Sequence, residues 1–509
     1  MDFPRRGRSS SLKSKRPSVR TWAFVGVAAS ALSVPLGLRA GPPFEPKPWI
    51  EDLDQTREAF AAKYANLEWA VFEREANLSA LFADTRTRIE NASGGVDARD
   101  AFDGLARRLG DGHVRFRWPI GQPTGNTPSA NCTALGYDPR MQGTPVASLG
   151  PGYAPLRDAP APEFPAGLVE VGGHTIGVVR IGLFSPRGYP DLCAAALAAL
   201  AIAPGSPCDE ACSDRIDGWV SARMTYDLMA QLHAIKASRA EVLLVDIAGN
   251  GGGTEWAEAA ARMVTAVRLK SNRVGFVRGP HWAEAFGKRE AELRTASQDA
   301  SREDRALLMR LAEEVAARHR QALTPCDSGP LWRGERPTCR WLGEGFYASG
   351  ILDSADPRIL RNKSWATLVF TPMQFPYDEG VWRGPLIVLV NAGTGSAAEE
   401  FAAVLQDNRA AVIIGTPTAG AGCGHTEGGT PTSLKNTGAL LELPDCARFR
   451  ADGSNEVMGI QPDVLVGMRR DDGPHRAGMR LAGKLAEAVD RALRLTASPP
   501  RPPSSPLQH

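Results

Sequence analysis

The stretch Pro385-Leu-Ile-Val-Leu-Val-Asn-Ala-Gly-Thr-Gly-Ser-Ala-Ala-Glu-Glu-Phe401 holds three structural instructions in one line. Leu386 to Val390 is a short unbroken apolar run, the signature of a strand buried on both faces. From Ala397 onward Phe401, Val404 and Leu405 recur at helical spacing. Between them Gly393 and Gly395 permit a sharp turn, so Ser396 stands where a strand becomes a helix. The free N–H groups of a helix start bind negative charge, which suits a serine whose reaction creates an oxyanion beside its hydroxyl. A serine that merely caps an ordinary helix has the same local sequence. The rest of the chain has to separate the two.

Outward from this stretch, strand and helix alternate. Thr175–Ile181 and Glu241–Ile247 read as strands, Ile216–Ala237 and Glu255–Val267 as helices, and Ala411–Ile414 as a strand after the Ser396 helix. Such alternation predicts an α/β layer with its ligand sites at the carboxyl ends of the strands. A long charged helical segment, 284–322, interrupts the layer as an insert, and 471–496 reads as a closing helix. Before the layer, 52–112 carries Phe60, Tyr64, Leu67, Phe72, Phe82, Ile89, Phe102 and Leu105 at three- and four-residue steps, a small bundle of three or four helices. Residues 113–170 lack lasting periodicity and read as an irregular connection, leaving 171–470 for the α/β core. The Pro- and Ser-rich residues 497–509 read as a disordered tail.

The 509-residue chain has room for two or three domains, and its net charge of +2 gives no nucleic-acid signal. Seven basic residues between Arg5 and Arg20 precede the mostly apolar run Thr21–Leu38, which predicts a secretory leader over 1–40 with cleavage near Ala40 and a Pro-rich linker over 41–51. An uncleaved membrane anchor is the alternative; Pro35 and several small residues weaken it as a span. Eight cysteines, all after position 131, agree with export and predict disulfides: Cys326 with Cys339, Cys423 with Cys446, and two among Cys193, Cys208 and Cys212. Cys208-x-x-x-Cys212 lacks a second ligand pair nearby, so no metal is expected. No cofactor is expected either.

A nucleophilic serine needs a base, and the base needs an orienting group. Of eight histidines, His233 and His319 fall on helices, His475 and His509 in polar terminal sequence, His281 at the insert boundary and His174 in a Gly-Gly turn before a strand. His425 lies in the glycine-rich Ala419–Thr426 and is one candidate. His113 is the other, in Leu109-Gly-Asp-Gly-His-Val-Arg-Phe116 at the end of the helical region; a packed, satisfied histidine fits the same context.

Taken in order, Leu109–Phe116, Val245-Asp-Ile-Ala-Gly-Asn-Gly-Gly-Gly253, Gly393-Thr-Gly-Ser-Ala-Ala-Glu399 and Gly459-Ile-Gln-Pro-Asp463 resemble the motifs of the tail-specific, or C-terminal-processing, serine peptidase superfamily. The resemblance covers 52–468 apart from 118–165 and the 284–322 insert. It implies a crotonase/Clp-protease-like β/α superhelical catalytic core. Processing peptidases of this kind carry a lysine base in a Thr-x-Gly-Lys-Gly segment; here Thr418-Ala-Gly-Ala-Gly422 puts Ala421 at that position. The chain is therefore more similar to the branch of the tricorn protease core and the chlamydial protease-like activity factor, which pairs serine with histidine and glutamate. By position that implies Ser396, His113 and Glu456 as catalytic residues, although Gly112 replaces a serine that precedes the histidine in the tricorn-like pattern. Ala397 with Gly251 or Gly252 would supply the oxyanion N–H groups, and Asp246 and Glu399 would support loops. No PDZ domain is expected, since no Gly-Asp run follows Gly167-Leu168. The resulting expectation is an exported serine endopeptidase, periplasmic or secreted, acting on protein or peptide substrates of unknown preference. A ligand- or protein-binding relative without catalysis is the alternative; an acyl-CoA enzyme of similar fold finds no adenine or phosphate site in the sequence.

Overall fold

The structure, a computed structural model, describes residues 44–119, 129–425, 431–469 and 471–497. The leader expected over 1–40 and nearly all of the tail expected over 497–509 lie outside the described residues. Among the described residues no helix is long and apolar enough to cross a membrane.

A seven-stranded sheet runs in the order Val464–Leu465, Val412–Gly415, Leu386–Val390, Val242–Asp246, His174–Arg180, Ala166–Val171, Ala154–Pro155. The first five are parallel and the last two pair antiparallel at the edge. Alternate residues of each central strand enter different cores, as the two-residue period of a strand requires. Leu243, Val245, Val388 and Val390 pack under the helices Glu210–Ala237, Trp256–Met263 and Ala397–Asp407. Leu244, Ile387, Leu389 and Ile414 pack under the closing helix Pro474–Ala497. Both faces of the sheet are thus covered, which is why its strands read as continuous apolar runs. This is the α/β fold that the alternation predicts.

The register of the central strands brings their carboxyl ends level with one another. Arg180 pairs with Asp246, Asp246 with Leu389, and Val390 with Gly415. Three loops, 247–254, 391–395 and 416–425, therefore leave the same edge of the sheet side by side.

Residues 47–109 form four helices, Lys47–Lys63, Leu67–Phe72, Leu78–Glu90 and Gly95–Leu109. They share an apolar cluster with Leu441, Leu443 and Val457 from the far end of the chain. Gly110 ends the last helix in the left-handed conformation, φ +74°, turning the chain toward His113. The insert is a pair of packed helices, Pro280–Gln298 and Arg302–Ala322, beside a three-stranded sheet of Cys446–Phe449, Arg273–Val277 and Leu342–Tyr347.

All eight cysteines are paired, Cys132–Cys193, Cys208–Cys212, Cys326–Cys339 and Cys423–Cys446. The Cys132 bridge fixes part of the irregular connection to the helix Pro190–Ala199. Asp246 fixes another part: its Oδ2 accepts the N–H groups of Val146 and Ala147 at 2.9 Å each, and its Oδ1 faces Arg180 at 3.1 Å.

Candidate active site

Ser396 begins the helix Ala397–Asp407 with φ 55° and ψ −124°. A side chain at positive φ is strained, typically by a kcal/mol or more, and such strain persists only where the surroundings enforce it. They do so here. Asn391 Oδ1 accepts the N–H of Gly393 at 2.9 Å and of Gly249 at 2.7 Å. Thr394, fully buried, donates its hydroxyl to the Ile247 carbonyl at 3.0 Å, and Gly395 N–H donates to the Asn250 carbonyl at 3.0 Å. Ser396 N–H itself donates to Glu399 Oε2 at 3.0 Å. The strand-to-helix turn is locked onto the neighbouring 247–250 loop, and Ser396 stands half-buried at its apex.

His113 meets that hydroxyl. Its Nε2 lies 3.1 Å from Ser396 Oγ, and its Nδ1 lies 2.7 Å from the Ala421 carbonyl oxygen. A carbonyl can only accept, so Nδ1 carries the proton and Nε2 of the neutral ring accepts from serine. Burial holds the imidazole down at a pKa of about 4, against a smaller upward pull from the Ala421 carbonyl. His113 N–H donates to Asp111 Oδ1 at 2.9 Å, and the other Asp111 oxygen accepts from Asn66 at 2.8 Å and Tyr64 at 3.1 Å. Burial lifts that carboxyl to about 6. The ring is therefore held from the helical region on one side and from the 416–425 loop on the other.

The other candidates lie nearby but make different contacts. His425 packs edge-on against His113, and its Nε2 faces the His113 carbonyl at 3.2 Å, not the serine. Glu456 is buried, but among the described residues no hydrogen bond joins it to His113. Both its oxygens sit on the Arg448 guanidinium, 3.0 and 3.1 Å from Nε. The reason is charge: buried Arg448 needs anions, and it takes Glu456 and Glu400 (2.9 Å) together with the carbonyls of Ser396 and Gly422, at 3.0 and 2.9 Å. Arg448 lies in the short strand Cys446–Phe449 with nothing in its sequence context to set it apart.

The expected oxyanion donors also divide. Gly252 N–H is committed to Asn250 Oδ1 at 2.9 Å, so it is not available to an oxyanion. Among the described residues, Ala397 N–H and Gly251 N–H have no protein acceptor. Gly252 serves differently: its φ is +105°, and an added Cβ would lie 2.7 Å from Ser396 Cβ and 2.9 Å from Ala397 N. Only glycine lets the loop approach the serine this closely. A cavity of about 690 Å³ opens beside the His113 loop, lined among others by Ala106, Arg107, Gly112, Val114, Phe116 and Ala419. Among the described residues no cluster of His, Cys, Asp and Glu is arranged to hold a metal ion.

Residues 215–466 match the family model for peptidase family S41. A stretch of 84 residues is 40% identical to the carboxy-terminal-processing protease of Bartonella bacilliformis, covering 16% of this chain and 18% of that protein. Another of 98 residues is 34% identical to carboxyl-terminal-processing peptidase 3, chloroplastic, of Arabidopsis thaliana, 19% of this chain and 18% of that protein. The chain thus spans under a fifth of the length of either curated relative. The solved structure of mature CPAF superposes with a TM-score of 0.55 at 14% identity, over 88% of this chain and 98% of that one. At that identity the likeness is one of fold. Family model and motifs agree: residues 215–466 of this chain are a domain of peptidase family S41.

Proposed function

We propose that this protein is an exported serine endopeptidase that cleaves peptide bonds through an acyl-enzyme on Ser396. The observation that carries the reading is the 3.1 Å approach of His113 Nε2 to Ser396 Oγ, with the ring tautomer set by the Ala421 carbonyl. Ser396 Oγ attacks the substrate carbonyl carbon while Nε2 takes its proton. The tetrahedral intermediate's oxygen accepts hydrogen bonds from Ala397 N–H and Gly251 N–H. The C–N bond then breaks, and His113 returns the proton to the leaving amine. Water, deprotonated by the same histidine, hydrolyses the acyl-serine and restores the hydroxyl. Export is supported by the basic-then-apolar start of the chain and by the four disulfides, which persist in oxidising compartments.

The test is peptide cleavage by purified protein. Ser396→Ala should lose roughly 10⁴- to 10⁶-fold in turnover, and His113→Ala a comparable factor. His425→Ala should lose far less. Cleavage by the Ser396→Ala protein at the unaltered rate rejects the reading, and a loss confined to His425→Ala moves the base.

A further inference from the structure

Three carboxylates other than Glu456 surround the Ser396–His113 pair, and their bonding distinguishes them. Asp111 binds the backbone N–H of His113, not its ring. Glu400 lies on Arg448. Glu399, fully buried, has five donors: Thr418 Oγ1 at 2.5 Å and Gly420 N–H at 2.7 Å on Oε1, then Ala421 N–H at 2.9 Å, Ser396 N–H at 3.0 Å and Gly422 N–H at 3.3 Å on Oε2. Thr418 Oγ1 in turn accepts from Ile460 N–H at 2.7 Å, so its own proton points to Glu399. Every partner of this carboxyl gives a proton and none accepts one, the pattern of an ionised carboxylate. Burial and the Glu456 charge push its pKa upward, and the hydrogen bonds oppose that push.

We propose that Glu399 positions the His113 imidazole through the Ala421–Gly422 peptide, whose N–H it accepts while the carbonyl of the same peptide accepts His113 Nδ1. The inference rests on Ser396 and His113 being the reacting pair. An acceptor on the N–H of a peptide makes its carbonyl a stronger acceptor, so the carboxylate steadies the ring and favours the imidazolium that forms during attack. The same Oε2 holds Ser396 N–H, so a single anchor sets nucleophile and base relative to each other. The charged and titratable groups around the ring are Arg115 on its own segment, His425 on the loop, Arg448 from the adjoining strand and Asp111 beneath.

The probe is a fluorophosphonate, followed as the rate of covalent labelling against pH, which needs no knowledge of the natural substrate. Glu399→Gln keeps the shape and loses the charge. Its labelling rate should fall by roughly 10²-fold or more, and the acid limb of the profile should move to lower pH, because an imidazolium without its carboxylate is harder to form. Glu456→Gln should leave the limb at its wild-type position. A Glu399→Gln protein with wild-type rate and limb overturns the proposal, as does a limb moved by Glu456→Gln alone. Should Glu399→Gln not fold, Glu399→Asp replaces it: charge is kept and reach shortened, so the rate should fall at least about tenfold with the limb in place. An unchanged rate in that variant overturns the proposal equally. Wild-type protein that is not labelled, or labelling that survives Ser396→Ala, defeats the peptidase reading and this inference with it. Labelling abolished by Ser396→Ala and His113→Ala but normal in Glu399→Gln defeats this inference alone.

Discussion

A single methyl group at Gly424 would reach the imidazole of His113. The glycine has φ +88°, and an added Cβ would stand 2.9 Å from Nε2 and 3.0 Å from Cε1. Gly424→Ala should therefore displace the ring and lower turnover by about 10²-fold, the cost of an ångström-scale misplacement. A Cβ at that φ is strained by about 1–3 kcal/mol, so the thermal midpoint should fall as well, and kinetics beside a melting curve will check both. The pH profile belongs at this scale too. In the proposed mechanism the base works only as neutral imidazole, so activity should fall as pH drops through the His113 pKa. Burial holds that pKa at about 4 in place of the ordinary 6.5. The acid limb of kcat/KM attributable to His113 should lie well below the usual histidine range, and a limb near 6.5 would contradict the buried environment. Asp111 acts nearby, and its sign differs. Its folded pKa is raised to about 6, so its ionisation opposes folding as pH rises from its unfolded value through 6.

The element that matters most is the 416–425 loop, since it carries the carbonyl that orients His113. Glu399 holds it from the nucleophile helix, Arg448 from the Cys446–Phe449 strand, and the Cys423–Cys446 bridge ties those two segments covalently. The bridge closes a sequence separation of 23 residues, for which loop-closure entropy predicts about 3 kcal/mol of stability. The double variant Cys423→Ser/Cys446→Ser should lose stability of that order in urea titration. It should also lose turnover under native conditions, because the loop then rests on hydrogen bonds alone. Loss of stability with full turnover would mean that Glu399 and Arg448 suffice. Little of this loop could be read in the sequence. Its glycines announce a turn, and Ala421 at the lysine position of the processing peptidases rules out that base. Nothing in Thr418–Gly422 says that a backbone carbonyl faces the imidazole, because main-chain hydrogen bonding leaves no residue-type signal.

At the scale of the molecule, the helical region 47–109 meets residues 436–457 of the core. Asp52, in the first helix, accepts Asn436 N–H at 3.0 Å, Thr437 N–H at 2.8 Å and Thr437 Oγ1 at 2.7 Å. Asn455 donates to Asn66 Oδ1 at 2.8 Å, and Asn66 in turn donates to Asp111. The helical region and the core therefore fold as mutual partners, and His113 sits at their junction. Asp52 is almost fully buried, and Asp52→Ala removes the acceptor these half-buried and exposed donors share, which should cost about 1–3 kcal/mol. Activity and folded fraction should decline together across a denaturant titration. Activity lost well before unfolding would show the helical region loosening on its own.

Residue order alone settles the local and the repetitive: buried strands as apolar runs, helices as periodic ones, the Ser396 turn from its glycines, and the family from four motifs in order. Those features depend on near neighbours and on backbone conformation, which residue types report directly. How the buried charges pair is settled only in three dimensions. Glu456 stands at the position that the resemblance gives to the orienting acid, yet its carboxylate lies on Arg448, while Glu399, three residues after the serine, holds the peptide behind His113. A desolvated carboxylate goes to whichever cation or set of N–H groups the fold brings within about 3 Å. Which groups those are is a property of three-dimensional neighbours and not of the order of residues along the chain.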